Sequence, residues 1–314
     1  MQRERFPWKR DYQFVEPGIT ADGVRIYPFD RGFPIDVAFV RASGPKHVRL
    51  NRHEFFEVMY VYGGRTELQV RDRYFPLRAG DLVVMGPHIY HRVLHKPNVE
   101  AKLVSLNFHP EVIRSGDAGG EEESYLSTFL CQDTHFQHVI SGRKTLSREV
   151  FRLILKVHEE LPARTPLNRL AVKTYLKVLL LLLLKHFADY LGTRQAIDRK
   201  RKDVQRLRPL FQVIDERYGQ HIEVRDAARI CGMSPSHFMR FFKQTMGQPF
   251  RAYLSAFRIA KAQSMLASDY ASIAEISQQV GFCSQSYFGE MFRALAGMTP
   301  RTYRQRFRAQ ARLS

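Results

Sequence analysis

Two short stretches, about fifty residues apart, carry side chains suited to gripping nucleic acid. The first places Ser236, His237, Met239, Arg240 and Lys243 on one side of a helical repeat; the second places Gln285, Ser286, Gly289, Glu290 and Arg293 there. A guanidinium grips guanine through two hydrogen bonds, while serine hydroxyls and flanking Lys or Arg hold phosphate. Arg240 is the first candidate base reader and Gln285 the second, with Lys243 and Arg293 placed for the backbone.

Such side chains need a helix held at the right angle, and the surrounding sequence supplies one twice. Gly247 pairs in register with Gly297, Phe238 with Phe288, Phe242 with Phe292, Lys243 with Arg293 and Tyr253 with Tyr303. In each copy a short helix with one apolar side (Val224, Ala227, Ala228, Ile230; then Ile273, Ile276, Val280) stops at Gly232 or Gly281, a residue that tolerates a left-handed C-cap. Ser234 before Pro235, and Ser284 at the matching place, then open a second helix. Phe238, Phe241 and Phe242, or Phe288, Met291 and Phe292, recur at three-to-four-residue spacing and give that helix a buried side. The pattern is a duplicated helix-turn-helix, whose second helix reads the major groove from its N-terminal residues.

The Ser-Pro opening, the Phe-Phe-Lys ending, Gly-Gln-Pro, the segment YLSAFRIAKAQSML, then SIAEISQQVGFCSQSYFGEMF and GMTPRTYR, resemble the DNA-binding domain of AraC/XylS-family bacterial transcription regulators over roughly residues 205 to 308. The resemblance implies promoter DNA as partner, activation as the commoner mode, and RNA polymerase as a further partner. Glu290 departs from the basic residue the family often has there. Glutamate can accept a hydrogen bond from cytosine but repels phosphate, so the first copy is expected to discriminate sequence and the second mostly to position. A solvated Glu290 with a local partner is the alternative.

Charge agrees with a polyanionic partner. The 314 residues carry a formal +18 with pI near 10.0; from Lys200 onward 19 Lys plus Arg stand against 8 Asp plus Glu, so 19 − 8 = +11 lies in the last third and +7 in the rest. A composition 44% hydrophobic and 25% charged suits a folded chain with two cores. Cys131, Cys231 and Cys283 form no Cys-x-x-Cys pair, which fits a reducing compartment. MQRERFPWKRDY lacks the apolar core of a signal peptide, and the run Val178 to Leu184 is too short to span a membrane; a cytoplasmic protein with no membrane partner is expected.

Residues 1 to 20 read as an arm, with Phe6 and Trp8 either closing over a ligand or tucked against the next domain. From 21 to 110 the period switches to two: Ile35, Val37 and Phe39; Phe56, Val58, Tyr60 and Tyr62; then, past Gly63-Gly64, Thr66, Leu68 and Val70. Short strands between Gly, Pro and Asp turns indicate a β-barrel or jelly roll. HEFFEVMYVYGGRTELQV and FPLRAGDLVVMGPHIYHRV resemble the two signature hairpins of the cupin fold, the sensor domain of many AraC-like regulators.

Cupin enzymes hold a metal with histidines and a glutamate from these hairpins. His53 and Glu57 share a strand face, since their numbers differ by an even amount, and His91 stands where the second hairpin's histidine falls; the family's other histidine position is Asn51 here. The three could hold a metal, or hydrogen-bond one another across a polar interior with or without a small molecule. His47, Arg49, Tyr60 and Tyr62 are further candidates to line an effector pocket, with their facing left open by alternation.

Residues 111 to 192 turn helical after a Gly- and Glu-rich loop. One helix is expected over Ser147 to Glu160 and another from Pro166 to Leu191, stopped by Gly192. The second is apolar nearly all round at its C-terminal half, and Leu180 and Leu184 suggest a homodimer face; burial within one subunit is the competing reading. Residues 193 to 206 are charged and read as a linker or exposed connecting helix, before the reader domain at 207 to 308. Between its two units a helix from about Phe250 to Ala267 should bury Leu254, Phe257, Ala260, Met265 and Leu266, with Arg251, Arg258 and Lys261 offered to DNA backbone.

The expected fold class is therefore α+β: a cupin-like barrel, a helical dimerisation segment, and an all-α double helix-turn-helix. The expected function is a sequence-specific transcription regulator, with no catalytic residues and no obligatory cofactor, controlled by a small-molecule effector in the barrel. The alternative is a metal-dependent cupin enzyme fused to a DNA-binding domain.

Overall fold

The structure, a computed structural model, describes residues 8, 18–19, 23–30, 32–42, 50–94, 99–113, 121–133, 135–192, 194–268 and 271–311. His47, Arg49 and Phe6 lie outside the described residues.

A two-stranded ribbon, β1 (Gly18–Ile19) and β2 (Arg25–Ile26), precedes the main antiparallel sheet. That sheet uses β3 (Ile35–Ala42), β4 (Phe56–Val70), β5 (Arg73–Arg78), β6 (Leu82–Met85), β7 (His91–Leu94), β8 (Ala101–Phe108) and β9 (Val139–Ile140). The path runs β3-β8-β4-β6-β9, while β5 and β7 pair with the far half of β4. Strand β4 thus belongs to both layers and bends between them.

The bend falls at Gly63-Gly64. These glycines are not a turn between two strands: the register against β8 slips between Val61 and Gly63, and β4 continues unbroken. Gly64 has φ +75, and a Cβ there would meet the Glu100 carbonyl oxygen at 1.9 Å, so only glycine allows the bulge.

Alternation along β4 sorts two cores. Glu57, Met59 and Leu68 face the barrel interior with Val83, Met85 and Leu103, while Phe56, Val58 and Tyr60 face the helices. Those helices are α1 (Ser127–Leu130), α2 (Thr145–Glu160), α3 (Pro166–His186) and α4 (Ala188–Leu191). Thr165 caps α3 by accepting from the Asn168 N–H, with Pro166 at the first turn. The expected continuous helix to Leu191 breaks after His186, and Gly192 caps the short α4 instead.

Residues 194 to 206 take the connecting-helix alternative. From Arg194 they are helical, the start of α5 (Arg194–Arg217), which runs without a break into the first helix of the reader domain. Their Arg, Lys and Gln are good helix formers, and Leu207, Leu210 and Ile214 anchor the far end.

The reader domain follows as α6 (Val224–Ile230), α7 (Pro235–Met246), α8 (Phe250–Ser268), α9 (Ile273–Gln279), α10 (Gln285–Ala296) and α11 (Pro300–Ala311). Its core joins Leu207, Leu210 and Ile214 to the phenylalanines of both units and reaches into the barrel through Leu50 and Tyr90.

Helix α8 is buried on more sides than an isolated reader domain would require. Leu254, Phe257, Ala260 and Leu266 are inside as expected, Met265 is half-buried, and Ile259, Lys261, Ala262 and Gln263 are buried too, on a helix that also meets the barrel. A Cβ on Gly23 would lie 2.5 Å from that of Ala260.

Candidate functional site

Each recognition helix is built as the sequence predicts. Ser234 accepts from the His237 N–H at 3.4 Å, and Ser284 from the Tyr287 N–H at 3.3 Å. At the other end Gly247 and Gly297 take the left-handed conformation, φ 69 and 76. Phe238, Phe242, Phe288 and Phe292 are fully buried, in edge or tilted contacts of Phe238 with Phe250, Phe242 with Tyr253, and Phe292 with Phe288 and Tyr303.

The opposite face of each helix points to solvent. Ser234, Ser236, His237, Met239, Arg240 and Lys243 are exposed on or beside α7; Ser284, Gln285, Ser286, Glu290 and Arg293 are exposed on or beside α10. Sequence reasoning missed Tyr287, which is 50% exposed, like Met239 on the first copy. It occupies the register position of His237, so the repeat itself carried the signal.

Of the three α8 cations offered to DNA, only Arg251 is exposed. Lys261 is buried, with its ammonium 4.4 Å from the centre of the Tyr218 ring, and Arg258 donates to the Tyr218 and Gln220 carbonyls, tying down the loop before α6.

The barrel gathers His53, Glu57 and His91, whose ligand atoms all lie within 4.8 Å of one another, all three side chains buried. Both Nε2 atoms are 3.3 Å from Glu57 Oε2. The other carboxylate oxygen accepts from Arg25 Nη1 at 3.1 Å and from Ser105 Oγ at 2.7 Å. Burial alone would raise the Glu57 carboxyl; Arg25 and the hydrogen bonds from His53 and His91 outweigh it and hold the group well below the usual carboxylate range. His53 is pushed down to about 4, chiefly by burial, with Glu57 opposing.

His53 Nδ1 is 2.7 Å from the Phe55 carbonyl oxygen and His91 Nδ1 is 2.8 Å from that of Ile89, so each ring faces an acceptor at both nitrogens and, when neutral, has one proton to give. With the protons on Nε2 the rings donate to Glu57; with the protons on Nδ1 the two Nε2 lone pairs are turned toward the carboxylate oxygen. In the latter form three acceptors aimed at one point fit a divalent cation, and the Nδ1–H to carbonyl bonds are the support that metal-bound histidines use. Asn51, beside them, leaves such a site with one imidazole fewer than the cupin pattern.

A cavity of about 80 Å³ opens beside the trio, with Arg25, Asn51, Glu57, His91 and Ser105 on its polar side and Met59, Leu68, Val83, Met85 and Leu103 on its apolar side. At roughly 30 Å³ per water it has room for about three. Tyr60 and Tyr62 are not part of it. Tyr60 stacks on Phe151 of α2 at 4.1 Å and Tyr62 stacks on Trp8 at 5.3 Å, because both occupy the helix-facing parity of β4. Trp8 is thus tucked on that outer surface, away from the pocket's side of the sheet.

A sensor barrel joined to two outward-facing recognition helices defines a DNA-binding transcription regulator with a ligand-binding domain. Residues 34–179 match the AraC-like ligand binding domain, and residues 227–306 match a helix-turn-helix domain. The chain belongs to the AraC family of transcription regulators. It is 20% identical over 260 residues to the HTH-type transcriptional regulator YdeC of Bacillus subtilis (strain 168), covering 82% of this chain and 87% of that one. It is 23% identical over 265 residues to the transcriptional activator RhaR of Mannheimia succiniciproducens, again 82% and 87%. The crystal structure of ToxT from Vibrio cholerae O395 aligns with 86% of this chain and 96% of its own at 11% identity, with a TM-score of 0.48. Among the described residues no helix is long and apolar enough to cross a membrane.

Proposed function

We propose that this regulator is a cytoplasmic homodimer that activates transcription with RNA polymerase when a small molecule or ion occupies the cavity beside His53, Glu57 and His91. It acts as a regulator and not as an enzyme, in line with the relatives it matches.

The observation that carries the reading is the two-sidedness of one small patch. Asn51 and His91 are bridged by reciprocal backbone hydrogen bonds, N to O, at 3.1 and 2.8 Å. On the inside of this patch stand His53 and His91. The alternate residues, Arg52 and Arg92, reach the reader domain: Arg52 to Asp215 of α5 at 2.8 Å, and Arg92, which also borders the cavity, to Ala296 of α10 at 3.1 Å. A ligand that draws the histidines together moves backbone whose next side chains hold the reader. An effector shifts the equilibrium by its difference in affinity for the two arrangements.

A divalent cation is the second reading for the occupant, favoured by the two Nε2 atoms that converge on Glu57. Ion or molecule, the site would serve sensing.

Dimerisation is proposed through α3, on a different stripe from the one the sequence suggested. Leu180 is buried in its own subunit and Leu184 is half-buried; Leu167, Leu170, Val178 and Leu181 are the exposed ones, 75%, 60%, 42% and 37% accessible. At about 100° per residue they fall within roughly 80° of one another on one face of α3, so a second copy can bury them against the same stripe. Leu170→Glu should convert the dimer to monomer in sedimentation velocity; an unchanged dimer would place the interface elsewhere.

For the reader, Arg240→Ala should lose about 1–3 kcal/mol on the specific site and relax preference at one base pair. Arg293→Ala should weaken all sequences alike and flatten the salt dependence. Fluorescence anisotropy on selected and scrambled duplexes at two salt concentrations separates them, and an Arg240→Ala protein with unchanged affinity and preference would remove it as a reader.

A further inference from the structure

Both recognition helices meet the barrel at their C-terminal ends. Arg71, in the turn after β4, places Nη2 3.1 Å from the carbonyl oxygen of Met246, the last residue of α7. Arg92, on β7, places Nη1 3.1 Å from that of Ala296, the last residue of α10, and Gln69 Nε2 stands 3.4 Å from the Leu295 carbonyl oxygen. The last carbonyls of a helix lack intrahelical donors and carry the negative end of its dipole, so a guanidinium there is favourable on both counts.

Neither arginine is a casual contact. Arg71 is 9% exposed and also donates to the carbonyls of Gln132 and Asp133, which fixes it within the sensor domain. Arg92 is 3% exposed, with Nε on Gln69 Oε1 at 2.8 Å, and among the described residues no carboxylate lies within ion-pair distance of it. A buried cation answered by neutral oxygens gives up hydration without a counter-ion's attraction. What it gains is direction, because the planar fork donates along set lines. Gly297, which ends α10 at φ +76, lies beside Arg92: a Cβ there would be in ordinary contact, 3.4 Å, with Nη2.

The two contacts fall on different units of the reader. Units one and two are otherwise linked through α8, and the barrel now touches the same end of each recognition helix with one arginine apiece. Their DNA-facing N-terminal residues stay clear of the barrel.

We propose that Arg71 and Arg92 are positioning residues for DNA reading: from the barrel they clamp the carbonyl ends of α7 and α10 and set the two recognition helices in one mutual orientation. The clamp raises affinity only where both helices engage at once. It leaves a single helix's own affinity for its half-site unchanged. This rests on the proposed reading of DNA by both helices.

The test uses the full chain and an operator selected by the wild type from random duplexes. Dissociation constants are compared on the intact operator and on duplexes with one or the other half-site scrambled. Arg92→Ala should weaken the intact operator about tenfold, the effect of about 1.4 kcal/mol, and leave the duplex lacking the second half-site unchanged. Arg71→Ala should do the same with the first half-site scrambled. Arg92→Lys, which keeps the charge with a single donor point, should recover part of the loss. An intact-operator affinity equal to wild type, equal losses on all duplexes, or tighter binding would each overturn the clamp. A wild type that selects no sequence would instead remove the reader itself, and the clamp with it.

Discussion

Replacing Glu57 with alanine is expected to destabilise the sensor barrel by about 3–5 kcal/mol. The carboxylate is 5% exposed and answers Arg25, Ser105, His53 and His91 together. Its removal leaves the Arg25 guanidinium, with a side chain 16% exposed, without its counter-ion and strips the histidines of their shared partner. With a urea slope of about 1–3 kcal/mol per molar, the barrel transition should fall by on the order of 2 M. An unmoved midpoint would mean that the charge is dispensable. The same variant tests the cation reading: one equivalent of transition metal in the wild type, absent from Glu57→Ala and reduced in His53→Ala and His91→Ala, supports it, and a metal-free wild type purified without chelator rejects it.

Phe292→Ala is expected to cost about 3–5 kcal/mol in the second helix-turn-helix unit. The ring is fully buried, 5.6 Å from Phe288 and 5.4 Å from Tyr303 in edge or tilted contacts, so truncation opens a cavity between α10 and α11. The first unit keeps its own Phe238–Phe242–Phe250 cluster. Loss should therefore appear as hydrogen exchange in α10 rising toward the unprotected rate while α7 stays protected. Equal loss in both helices would show that the two units unfold as one.

The reader was legible because its signals are local. Ser234 with Pro235, Ser284, the glycines at 247 and 297 and the phenylalanine spacing each fix a helix end or a buried face within a dozen residues. The trio was legible from the cupin-like hairpins, although the parity argument for His53 and Glu57 does not apply: His53 lies before β4, with a bend at Glu54-Phe55 between them. Parity does not say which face meets the helices, which is why Tyr60 and Tyr62 were candidates for the pocket and lie instead against Phe151 and Trp8. Lys261 and the clamp were hidden for another reason. Their partners are rings and carbonyls of distant elements: Arg71 finds Met246 175 positions on, and Arg92 finds Ala296 204 positions on. A carbonyl acceptor leaves no mark on composition or spacing.

Both helices reading one duplex together is the claim on which the regulator's action turns. Hydroxyl-radical footprinting of the full chain on its selected operator measures this directly. For each reader domain of the dimer the account predicts two protected segments on one side of the DNA, about one helical turn or 10 base pairs apart, with Arg240→Ala erasing preference within one segment of each pair only. A single protected segment, or uniform protection insensitive to sequence, would contradict it.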